Sequence, residues 1–244
     1  MSVKIDKLSL LSGDDIYITE LLKIKQPTVR DIKEIGYDNY NLFIFLLAQN
    51  PEDRLVQLDD MGIDGMEYTN WDIFQMFFMI MPEQCVWSLK FFTELDFDFR
   101  IDEETKESYF ATILDDGNIV VIGEHGFKLI HDVIREMNFL TEEKLKFGNE
   151  GAKKRYIKAQ RAKLRNTKPE GLDNLISALA WKSPNLNILQ IFDLSIYQLY
   201  DGYFRLMKID NYENTMRGLY SGSIDTSKTK IDFNKINWAS SLKN

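Results

Sequence analysis

The chain has 244 residues, 44% hydrophobic and 28% charged, enough for one large domain or two small ones around a substantial core. Its 38 acidic residues against 30 basic ones give a formal charge of -8, which excludes a body that binds nucleic acid broadly. The single cysteine, Cys85, lies among apolar neighbours; it excludes an intrachain disulfide and reads as a buried thiol suited to a reducing cytosol.

Residues 14–27 contain strand-like pieces, with Ile16, Ile18, Leu21 and Ile24 among polar positions. A helix start follows at Pro27-Thr28, and Gly36 closes that segment. Residues 37–50 form a strongly apolar helix stopped by Asn50-Pro51. The next segment, from Pro51, opens with Pro at a helix start and acids in the first turn. Two further helices, over 69–82 and 82–92, are split by Pro82, so residues 28–94 read as a compact helical unit. Period-2 alternation then takes over: Phe97, Phe99 and Ile101, then Tyr109, Ala111 and Ile113, then "NIVVI" after an Asp116-Gly117 turn. That predicts a small antiparallel meander at about 96–122. Helical spacing returns at Leu129, Ile130, Val133, Ile134 and Met137. Beyond residue 170 come a short apolar helix, a long helix ended by Ser221-Gly222, and a polar tail with an isolated apolar group at Ile236, Trp238 and Leu242. The runs "NLFIFLLA" and "IFQMFFMIM" fall far short of the roughly 20 residues of a membrane span, and no signal-peptide h-region is visible at the start. The expectation is a soluble cytoplasmic protein with no membrane partner.

The expected fold class is α+β, mainly α: a helical body, a small antiparallel β meander and a projecting basic helix. The expected organisation is 1–147 for the helical unit with the meander, 148–170 for a basic connecting helix, and 171–244 for C-terminal helices and a polar tail.

Charge is segregated along the chain. Residues 151–169 carry Lys153, Lys154, Arg155, Lys158, Arg161, Lys163, Arg165 and Lys168 without an acid, and the rest of the chain then holds 22 basic against 38 acidic residues. On a helix, Lys154, Lys158, Arg161 and Arg165 fall on one stripe, while Tyr156, Ala159, Ala162 and Leu164 offer a weak apolar face. Three readings stand: a solvated face, docking on an acidic protein surface including this chain's own, and nucleic-acid binding. The acidic remainder and the single stacking residue, Tyr156, argue against the last.

Catalytic patterns are missing. There is no G-x-S-x-G elbow and no P-loop. One cysteine with His125 and His131 does not make a usual structural zinc site. The stretch "LDDMGID" at 58–64 places Asp59, Asp60 and Asp64 within six positions, but lacks the order and closing Glu of a calcium loop, so it reads as an acidic helix end running into a turn. No catalytic, cofactor-binding or metal-ligating residue is expected, and the chain is expected not to be an enzyme.

Several stretches resemble a family of uncharacterised proteins from the tail modules of phages of Gram-positive bacteria: "IKQPTVRDIKEIGYDNY", "VQLDDMGID", the Lys/Arg-rich segment with the helix after it, and the ending "MRGLYSGSIDTSKTKIDFNKINWASSL". These blocks cover about half of the chain; the meander contributes none of them. The resemblance implies a non-enzymatic, chaperone-like tail assembly factor acting in the cytoplasm of the infected host. Its implied partners are tail proteins such as the tape-measure or tail-tube protein, with self-association possible. The rival readings are a structural tail or neck component that stays in the virion, and a phage-encoded inhibitor of a host enzyme. The expected partner-binding residues are Lys154, Lys158, Arg161, Arg165 and Trp238, the last docking on the body or on a neighbouring subunit.

Overall fold

The computed structural model describes residues 5–141, 145–166, 171–224 and 231–242. Among the described residues the chain is 60% helical, with one two-stranded and one three-stranded antiparallel sheet, so the fold is α+β and mainly α. No helix among the described residues is long and apolar enough to cross a membrane.

Local chemistry sets most helix starts. Helix α1 (Lys7–Ser12) leads into a hairpin of β1 (Ile16–Tyr17) and β2 (Lys23–Ile24). Helix α2 (Val29–Ile35) starts at a capping box in which Thr28 and Asp31 satisfy each other's backbone N–H. Gly36 then turns the chain at a φ of 87° into α3 (Tyr37–Leu47). A 3-10 turn, Pro51–Arg54, precedes α4 (Leu55–Asp60). The box of Thr69 and Asp72 starts α5 (Asn70–Ile80), and Pro82 occupies the first turn of α6 (Pro82–Thr93).

The meander follows as β3 (Asp98–Ile101), β4 (Ser108–Ile113) and β5 (Ile119–Ile122), with Phe99 opposite Phe110 and Phe110 opposite Ile122. Its inward face differs from the one read in the sequence on β4. Phe110 is fully buried, whereas Ile113 stays exposed. The reason is that the Phe110 ring inserts among Phe74 at 5.7 Å, Phe78 at 5.2 Å and Trp71 at 6.1 Å; of the expected alternating set Ala111 is buried too, and Ile113 at the strand end is left in water. Helix α7 (Glu124–Met137) closes this layer, with Phe127 stacked on Phe74 at 4.6 Å.

A polar knot joins α3, the 3-10 turn and α7. Arg135 donates to the carbonyls of Ala48 (2.7 Å) and Thr141 (2.7 Å) and to Asp53 (2.6 Å). Arg54, 1% exposed, lies over the rings of Phe45 and Phe77 and donates to the Gln49 carbonyl. Its Nε and Nη1 have no partner among the described residues. Burial pulls its guanidinium down to about 10, which leaves it charged at neutral pH. His131 sits beside it, buried, with Nδ1 3.2 Å from Asp132 and Nε2 3.0 Å from the Asn70 amide.

After helix α8 (Glu150–Asn166) come α9 (Leu172–Lys182), α10 (Ile188–Ile191), α11 (Ile196–Tyr220) and α12 (Phe233–Ile236). The start of α11 is sewn to the N-terminal body. Val29 N–H donates to Leu194, Arg30 N–H to Phe192, and Ile196 N–H to Pro27, all at 2.9 Å. Buried Gln26 donates to the carbonyls of Ser9 and Asp14 and accepts from Ser195, which also caps α11. Ile196, Tyr197 and Leu199 therefore join the main core, along with Leu172, Ile176, Leu179 and Ile191. From residue 201 to the end of α11, no side chain is buried.

Candidate functional site

The two charge clusters of the sequence meet in space. Helix α8 starts with the Asn149 side chain accepting from the Ala152 N–H at 2.9 Å, and carries Lys163 and Arg165 in its last turn, where cations suit the helix dipole. Its docked face is Lys153, Ile157 and Arg161, spaced by four residues and facing α4. Ile157 packs with Leu55 and Val56 in a small second core, flanked by Leu145, Phe147 and Tyr156. Lys153 pairs with Asp64, and Arg161 donates to Asp59 at 2.8 Å and to Asp60 at 2.5 Å.

The acidic side is shaped for this contact. Asp59 and Asp60 end α4, where anions oppose the dipole, so Arg161 neutralises an unfavourable placement. Gly62, at a φ of 74°, reverses the chain, and Ile63 N–H returns to the Leu58 carbonyl at 2.9 Å. A Cβ at Gly65 would lie 2.5 Å from Leu58 Cδ1, so a larger residue here would force the buried Leu58 side chain to move. The tight loop leaves Asp64 able to cap the next turn and to accept from Lys153. That hydrogen bond, helped by Met66 N–H, holds the Asp64 carboxyl below its ordinary value. Asp59, and then Asp60, raise the Arg161 guanidinium. Exposed ion pairs contribute only about 0–1 kcal/mol each, whereas burying an Ile side chain contributes about 1.5–3 kcal/mol. Ile157 is therefore the largest single contributor to docking, and the ion pairs set the register.

Of the stripe expected to face solvent, Lys154, Lys158 and Arg165 do so. Arg161 differs: it is half-buried and bound to this chain's own carboxylates. The helix is thus held through its first two-thirds, and residues 162–166 stand clear. Lys168 lies outside the described residues. The docked face was legible in principle, since Lys153, Ile157 and Arg161 share i+4 spacing, but the partner acids lie about a hundred residues away. The exposed face keeps Lys154, Arg155, Lys158, Lys163 and Arg165 without an ion pair among the described residues. Like charges at i+4, such as Lys154 and Lys158, cost a few tenths of a kcal/mol each, and an anionic partner would remove that cost.

Trp238 is 48% exposed. What docks is the backbone around it: Arg205 of α11 donates to the Trp238 carbonyl at 2.5 Å and to the Ser240 carbonyl at 2.8 Å. Lys208 adds bonds to Ser240 Oγ at 2.6 Å and the Ser241 carbonyl at 2.7 Å. The tail end is thus tied to α11 by two cations, while half of the indole stays in water.

The C-terminal limb leaves large apolar side chains uncovered, among them Trp181 (89% exposed), Leu189 (73%), Tyr220 (83%) and Met207. Cys85 is fully buried, and burial pushes its thiol up to about 12, which keeps it unreactive. His125 is exposed at the start of α7, remote in role from the buried His131.

Comparison with known proteins adds one match: residues 166–243 are similar to the family model described as the YomV second domain. YomV is a protein of a Bacillus phage region, and the match agrees with a phage origin. No curated protein matches the chain, and no solved structure does.

Proposed function

We propose that the protein is a non-enzymatic phage assembly factor that binds other tail proteins, with the tape-measure or tail-tube protein as its client. One observation carries the reading: the segment that matches the phage family model is also the segment that leaves Trp181, Leu189, Met207 and Tyr220 uncovered. Rings and flexible thioethers suit a helical client laid against a helical surface, because they adapt to its side chains without a preformed pocket. The free cations of α8 add a charged rim that speeds encounter more than it strengthens binding. The reading assigns no catalytic step and sets the work in the cytoplasm of the infected host.

Co-expression with the tape-measure protein tests it. The expected outcome is a complex that survives purification and is lost in the Trp181→Ala, Leu189→Ala double variant, whose own melting curve stays unchanged. Mass spectrometry of purified virions should find the chain absent. Many copies per particle would make it a tail or neck subunit instead.

A further inference from the structure

Two adjoining cavities, of about 390 and 570 Å³, share Trp71 and Glu124 as a common wall. The first opens between the 3-10 turn and α7, beside Glu52, Tyr68 and Asn70. The second runs beneath the β3–β4 loop, beside Asp72, Asp102 and Glu107. Together they make one groove with carboxylates along its length and aromatic rings in its walls. Its two lysines do not balance those acids, and one of them, Lys128, is already 3.6 Å from Asp132. Asp72 and Asp102 are satisfied locally, by Thr69 and by Thr105 with the Glu104 N–H. The carboxylates of Glu52, Glu107 and Glu124 have no partner among the described residues. A second unmet demand lies in the same wall: Asn70 Oδ1 is buried with no donor, while its amide nitrogen is already committed to Asn50 and His131. The groove is therefore short of cationic N–H donors, and its exposed Tyr68 ring is an aromatic surface beside which a guanidinium or ammonium group can lie.

The chain itself carries the complementary set. Lys154, Arg155, Lys158, Lys163 and Arg165 of α8 lack carboxylates in the same way that Glu52, Glu107 and Glu124 lack cations. Within one copy the two sets form no ion pair, because Ile157, Lys153 and Arg161 fix α8 against α4. We propose that the groove receives the free face of α8 from a second copy, so that the chain associates head to tail. Donor face and acceptor groove are different patches, so the contact is heterologous and each copy keeps one of each unsatisfied until a ring closes or a filament grows. This narrows the partner of the α8 rim in the preceding reading and leaves the tail-protein client to the C-terminal limb.

Two neutral variants test the idea. The helix variant combines Lys154→Gln, Lys158→Gln and Arg165→Gln, leaving the docking contacts of Lys153 and Arg161 intact. The groove variant combines Glu52→Gln, Glu107→Gln and Glu124→Gln, which keeps size and removes charge. In sedimentation velocity at about 50 mM salt, the wild type should form assemblies larger than a dimer, and these should dissociate by about 0.5 M salt. Each variant alone should be a monomer with an unchanged circular dichroism spectrum. Mixed in equal amounts, they should form a heterodimer and stop there, because only one intact face then meets one intact groove. A wild type that stays monomeric at about 100 µM in low salt, where even a weak contact of that affinity would register, overturns the proposal. So does a mixture that stays monomeric, or a variant that assembles as the wild type does. A DNA probe that α8 shifts with a steep salt dependence at about 0.15 M salt reassigns its free face to nucleic acid and overturns it too. Self-association without a tail-protein complex would leave this inference standing and remove the proposed function alone.

Discussion

The layer of α5, α7 and the meander and the distal part of α11 use similar residues to opposite ends. In the layer, Phe74, Phe110 and Phe127 are sealed against one another, with Phe78 stacked on Phe99 at 4.5 Å. In α11, Phe204, Met207 and Tyr220 are exposed, and the helix stands because its first turns are anchored in the core at Ile196 and Leu199. Apolar content alone therefore does not mark a core in this chain; what marks it is whether a second element lies within reach to cover it.

Truncation at the two places should separate them most widely. Phe74→Ala should cost about 3–5 kcal/mol in urea unfolding, because the neighbouring rings cannot collapse into the space left. Tyr220→Ala should stay within about 0.5 kcal/mol of wild type. Equal losses would mean that α11 is covered in solution by a neighbour, and the comparison would fail.

The polar knot gives the next effect. Arg135→Met leaves Asp53 and two carbonyls without their donor and should cost about 3 kcal/mol. Arg54→Met removes a cation that no carboxylate among the described residues holds, trading its ring contacts and one hydrogen bond against a desolvation cost. It should fall within about 1 kcal/mol of wild type. Melts of both variants check the contrast.

The same knot makes the body acid-sensitive. Burial holds the His131 imidazole below its ordinary 6.5, so the unfolded chain binds a proton more readily than the folded one. The stability it preserves is fully present above about pH 6.5 and is lost as pH falls from there through the lower folded value. Urea midpoints should decline across that window in the wild type and decline less in His131→Gln, which cannot gain the charge.

Trp238→Ala should have a small effect, about 1 kcal/mol or less, since half of the ring is in water. Arg205→Ala should release the tail more completely, because the Trp238 carbonyl accepts from it and the Ser240 carbonyl keeps only a long contact to Lys208. Limited proteolysis after α12 reports which variant frees the tail.

What the sequence disclosed was set by distance along the chain. The helix start at Pro27-Thr28, Pro82 at a helix start and the Asp116-Gly117 turn act within a few residues, and each could be read directly. The burial of Phe110 on β4 could not, because it depends on rings contributed by α5. Arg161 looked free for the same reason, its carboxylates being supplied from α4. The groove was hidden more deeply still: Glu52, Glu107 and Glu124 come from three separate segments, and only the fold makes them neighbours.

The clasp between α4 and α8 also fixes an order of events during synthesis. Asp59 and Arg161 are 102 residues apart. At roughly 5–20 residues per second, a ribosome delivers the acids some seconds before the helix that neutralises them. During that interval the nascent chain shows Leu55 and Val56 without their cover and three carboxylates without their cations. Closing α8 is therefore a late step, made onto a body whose α5–α7 layer is already out of the exit tunnel.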